Sequence, residues 1–134
     1  MERFKVIDHP SDVGIEVFGQ DRKEIFENAA YGMFSLMADL GRVTAKEKIK
    51  VKVQAEDQEG LMVNWLNELI YLEDSKKYLF SEFKMERLDA TRLEATVGGE
   101  KIDLTRHSFS RPIKAATFNQ LSVEDREARI VFDV

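Results

Sequence analysis

Two stretches with helical hydrophobic spacing, set in a chain that otherwise alternates apolar and polar residues, constrain this fold most. Ile25, Phe26, Ala29, Ala30, Met33, Phe34 and Met37 recur at three- and four-residue intervals, as do Leu61, Met62, Trp65, Leu66, Leu69 and Ile70. That spacing gathers each set on one side of a helix, and such a side has to be buried against a sheet or another helix. Asp21, with Glu24 three residues on, reads as the N-cap of the first helix and Gly41 as its C-terminal cap. Asp57 reads as the N-cap of the second.

Elsewhere the period is two. Val13, Ile15 and Val17 alternate with Gly14, Glu16 and Phe18, a strand with one buried face. Ile49, Val51, Val53 and Ala55 alternate with Lys48, Lys50, Lys52 and Gln54, which predicts a half-buried strand with a solvated lysine face. Phe83 and Met85, then Leu93, Ala95 and Val97, predict two antiparallel strands joined around Leu88–Thr91. Gly98 to Pro112 is too irregular to classify, and Ile113 to Phe118 resumes as a strand. In the closing stretch Ile130, Phe132 and Val134 face inward, with Asp133 on the other side. The expected fold is α+β: one domain over residues 1–134, a mostly antiparallel curved sheet of about six or seven strands, open or barrel-like, and two amphipathic helices on one face.

Composition narrows the chemistry. At 134 residues, 43% apolar and 34% charged, the chain suits a single globular core. It contains no cysteine, which excludes disulfides, thiolate metal sites and a cysteine nucleophile. Two histidines leave little room for imidazole catalysis or zinc. A net charge of −5 lacks the basic footprint of a nucleic-acid binder. No apolar run approaches the roughly 18 residues of a membrane span, and the opening MERFKVIDH is charged, so a cytoplasmic protein with no membrane association is expected. Phosphate-binding glycine loops, HExxH and Gly-x-Ser-x-Gly are absent.

What remains is acidic. Asp8-His9-Pro10-Ser11-Asp12 forms a bend before the first alternating strand, and the chain closes on Phe132-Asp133-Val134. The simpler readings are an Asx/Pro turn and a last strand with a solvated acid on its outer face. If the two ends meet, however, Asp12, Asp133 and the terminal carboxylate make an all-oxygen site for a hard cation such as calcium or magnesium, with His9 as ligand or neighbour. Lys114 is either a surface lysine or a counter-charge to these acids, or it contacts a phosphate. Asp103 and His107 would share a helical face, but a solvated loop is the expectation there. A metal-dependent hydrolase using Asp12 and Asp133 with a bound water, and a general protein-binding chaperone module, are the alternative functions.

The segment IDHPSDVGIEVFG resembles the Asp-His-Thr-Ala-Asp-(Val/Ile) signature of archease proteins. Phe26–Phe34 is similar to the family's first helix, and LMVNWLNELI at Leu61–Ile70 to its Trp-Leu-Asn-Glu-Leu helix. Gly99-Glu100 with His107, Lys114-Ala115-Ala116-Thr117-Phe118 and the closing Asp133-Val134 follow in the family's order. The resemblance implies a non-enzymatic activator of the RNA-splicing ligase of tRNA maturation, promoting ligase guanylylation with GTP and multiple turnover. It reaches tRNA through that partner, with a tRNA methyltransferase as a further client. It also implies calcium at Asp12, Asp133 and the terminal group of Val134, with His9 and Lys114 beside the site or at the partner. Pro10-Ser11 replaces Thr-Ala, and Phe118-Asn119 replaces a common Tyr-His pair, so any contact made by that histidine is in question at Asn119.

Overall fold

The computed structural model describes residues 2–8 and 12–134. Its elements run β1 (Phe4–Asp8), β2 (Val13–Phe18), α1 (Arg22–Met37), β3 (Glu47–Gln54), α2 (Gln58–Lys76), β4 (Tyr78–Leu88), β5 (Arg92–Lys101), β6 (Ala115–Ala116), β7 (Ser122–Val123) and β8 (Glu127–Asp133). The α+β class and antiparallel pairing are as expected, but the strands form two open sheets. One runs β1-β2-β8-β6, with β7 also on β8, and the other runs β3-β5-β4. Burial on α1 is wider than one stripe: Asn28, Gly32 and Leu36 are covered along with the seven apolar positions. Each helix accordingly packs against strands of both sheets rather than on one face of a single sheet. None of the described helices is long and apolar enough to cross a membrane.

Local signals set the helix starts. The Asp21 carboxylate accepts from Glu24 N at 2.9 Å and the Asp57 carboxylate from Gly60 N at 2.8 Å. Trp65 Nε1 donates to the Phe26 carbonyl at 2.9 Å, joining the two helices inside the core. Gly41 does not cap α1. The helix stops at the extended Ala38, whose N–H still reaches the Phe34 carbonyl, and Gly41 lies in a 3-10 turn where its N–H is taken by Asp39.

Three further differences have physical causes. β5 continues through Gly98, Gly99 and Glu100, residues that look irregular in sequence. A Cβ on Gly99 would overlap the Leu79 carbonyl oxygen, so only glycine lets β4 and β5 approach there. The strand expected over 113–118 is only Ala115–Ala116 long, while β1 and β7 are strands that the alternation did not single out. In β8, Ile130 and Phe132 are fully buried, but Val134 lies past the strand and is 40% exposed. The paired part of β2 begins at Val13 and that of β6 at Ala115, so no described strand reaches far enough to cover it.

The outer face of the smaller sheet is charged and paired. Lys48, Lys50 and Lys52 meet Glu82, Glu86 and Glu94 at 3.4, 3.1 and 3.6 Å. Such exposed pairs add little stability singly, but they keep β3, an edge strand, from pairing with another chain.

Candidate metal centre

The antiparallel register of β2 on β8 places Val13 opposite Phe132, Gly14 opposite Val131 and Glu16 opposite Arg129. Asp12 immediately precedes Val13 and Asp133 immediately follows Phe132, so the register continued by one residue would set the two acids across from each other. By strand alternation the two acids share the face on which Glu16 and Arg129 pair at 3.0 Å, away from the buried Val13, Ile15 and Val17. Residues directly opposite in such a pair have Cβ atoms about 5 Å apart, and like charges so placed repel.

Asp12 Oδ1 is buried and, among the described residues, has no hydrogen-bond partner. A buried carboxylate oxygen without a donor is costly unless a cation faces it. A hard, oxygen-seeking ion fits this pair: it would face the unmatched oxygen and cancel the repulsion. Among the described residues no three His, Asp or Glu side chains gather around one point, so further ligands would have to be backbone carbonyls, water or a chain terminus. His9, with Pro10 and Ser11, lies outside the described residues. Val134 adjoins Asp133, and its side chain is not anchored in the core.

Lys114 is exposed and immediately precedes β6; its backbone N–H donates to the Asp133 carbonyl at 2.8 Å. Its side chain borders a half-open cleft of about 530 Å³ shared with Ile70, Glu73, Asp74 and Phe109. Burial pushes the Glu73 carboxyl up from its ordinary range, and the neighbouring Asp74 charge adds to this. Glu73 and Asp74 line the cleft together with Lys114 and Arg111, so its charge is of mixed sign.

The loop expected to be solvated around Asp103 and His107 is instead tied to a buried carboxylate. Glu100 is 3% and His107 5% exposed. Glu100 accepts from Arg106 Nη2 at 2.6 Å and from Thr44 N at 2.7 Å, and its Oε2 lies 3.1 Å from His107 Nε2. Asp103 N donates to His107 Nδ1 at 2.9 Å, which leaves the ring proton on Nε2 to be given to Glu100. The Arg106 guanidinium first, then the Thr44 amide, hold the Glu100 carboxyl down at about 2. This network anchors the segment that leads to β6. No residue of it lies in the acid pair.

The sequence did not mark Asn67. From α2 its Oδ1 accepts from Ala116 N at 2.8 Å and its Nδ2 donates to the Ala116 carbonyl at 3.4 Å. An asparagine in a helix interior, where its propensity is poor, was the available signal.

A family model described as the archease protein family matches residues 4–134. A protein named archease from Methanothermobacter thermautotrophicus is 36% identical, with all of both chains covered. One from Methanosarcina barkeri is 31% identical over 99% of this chain and 97% of its own. Another, from Sulfurisphaera tokodaii, is 34% identical over 94% and 91%. Among solved structures, the solution structure of Methanobacterium thermoautotrophicum protein 1598 matches with a TM-score of 0.81 at 32% identity, covering 100% of each chain.

Proposed function

Because the chain belongs to the archease protein family, we propose that it is a non-enzymatic activator of the RNA-splicing ligase, acting in the cytoplasm and holding calcium between Asp12 and Asp133. What supports the metal reading is the β2–β8 register, whose last pair, Val13 with Phe132, is flanked by these two acids, together with the buried Asp12 Oδ1, which has no hydrogen-bond partner among the described residues. Asp133 is exposed, so an ion held there would lie open to a protein partner rather than inside the core. Calcium, when bound, supplies positive charge that neutralises the pair. β2 and β8 are already joined along six register pairs, so stapling them would add little, and presentation to the ligase is the better use. A tRNA methyltransferase as a further client rests on the resemblance alone.

In a reconstituted reaction, sub-stoichiometric amounts of this protein are expected to accelerate GTP-dependent guanylylation of a cognate ligase and to sustain repeated RNA joining. Labelled ligase–guanylate formation unchanged by its addition would sink the reading. The terminal carboxylate of Val134 is the proposed third acid. Extending the chain by a few neutral residues turns that carboxylate into an amide, and calorimetry is expected to show weaker calcium binding. Equal affinity with and without the extension would remove Val134 from the site.

A further inference from the structure

We infer that Asn67 is a positioning residue for the acid pair, acting on Asp133 through the backbone of β6. The inference rests on reading Asp12 and Asp133 as a cation site, and it adds a residue that touches neither acid.

β6 is short, only Ala115–Ala116. Two residues pair with β8, Ala115 with Asp133 and Ala116 with Phe132, and β6 is the outer strand on that side. In antiparallel pairing, alternate residues turn their N–H and C=O away from the neighbouring strand. Thr117 N bonds the Val131 carbonyl, so its neighbour Ala116 points outward, and the Ala116 N–H is indeed given to Asn67 rather than to β8. Ala116 is only 4% exposed, and water is therefore a poor substitute partner for its backbone.

The amide of Asn67 meets both groups at once. One primary amide offers a donor and an acceptor in the arrangement of a peptide bond, so Asn67 stands in for the missing next strand. Ala116 held in this way fixes Ala115 and Lys114, and these set the backbone of Asp133. Asp133 has no paired residue after it in β8, so β2 and β6 on its two sides determine where its carboxylate points. Asn67 is therefore to Asp133 what an outer hydrogen-bond partner is to a metal-binding side chain.

The test is a double-mutant cycle read by calcium titration of the full chain. Asn67→Ala is expected to weaken calcium binding about 10- to 100-fold, the range typical of lost outer partners. In an Asp133→Asn background the same change should do nothing further. Asn64→Ala removes another side-chain bond from α2 to a strand, Asn64 Nδ2 to the Gln54 carbonyl, and should leave affinity unchanged. Unaltered affinity in Asn67→Ala would overturn the inference, as would a loss that persists undiminished beside Asp133→Asn. Should the unmutated protein bind no calcium, the cation reading fails, and amide hydrogen exchange still decides the placement. Lys114 N–H is expected to exchange faster in Asn67→Ala; no acceleration there overturns the role of Asn67. If Asn67→Ala does not fold, Asn67→Asp, which keeps the acceptor for Ala116 N–H and loses the donor, gives the same exchange reading.

Discussion

Replacing Asp12 with asparagine is expected to lower calcium affinity about 100-fold while leaving the calcium-free protein at least as stable as before. The two effects have opposite signs for one reason. On the proposed reading two carboxylates face each other without an ion, and Asp12 Oδ1 is buried with no donor among the described residues. Removing one charge relieves a repulsion on the order of 1 kcal/mol, since Asp133 is exposed and solvent screens it. With an ion present, the same change removes a full ligand charge, and a 100-fold loss of affinity corresponds to about 2.8 kcal/mol. Calcium calorimetry and thermal unfolding in chelator would check both halves. An Asp12→Asn protein that binds calcium normally, or that unfolds earlier in chelator, would show that Asp12 serves only the turn.

The second large effect concerns stability. Glu100→Ala is expected to destabilise the fold by about 1–3 kcal/mol, because the buried His107 and the Thr44 amide lose their acceptor while the half-exposed Arg106 can turn to water. Urea unfolding at neutral pH measures this, and a loss below about 1 kcal/mol would mean that water replaces the carboxylate. The same network predicts a pH dependence. In the folded protein Arg106 and the Thr44 amide hold the Glu100 carboxyl down at about 2, against an ordinary value of 4.5. On acidification the unfolded chain takes up this proton first. The stability that Glu100 contributes is therefore complete above about pH 4.5 and drains away as pH falls towards 2. Subtracting the profile of Glu100→Gln from that of the unmutated protein isolates this contribution from the other acids. A flat difference across that window would contradict the ion pair with Arg106.

Where the determinants are local, the sequence reveals them. Asp21 and Asp57 announce their helices because capping needs only a carboxylate and amides two or three residues away. The hairpin around Leu88–Thr91 follows from a change of register between two alternating runs. The pairing of β2 with β8 is partly legible, since Val13, Ile15 and Val17 and then Ile130 and Phe132 alternate with polar residues, although Val134 does not continue that buried face. Gly98-Gly99 hides a strand because glycine has no side chain to show a period, and the approach of Leu79 that requires it is distant in sequence. Glu100 and His107 look solvated because they satisfy each other, and Glu100 also takes the Thr44 amide from 56 residues away, contacts that local spacing does not show. The second sheet is hidden for a similar reason: a one-stripe pattern does not reveal that α1 is covered on several sides.

β8 is the final element of the chain, yet it lies inside its sheet, with β2 on one side and β6 and β7 on the other. A strand flanked on both sides offers no open backbone row of its own, so losing β8 would uncover β2, β6 and β7 together as sticky borders.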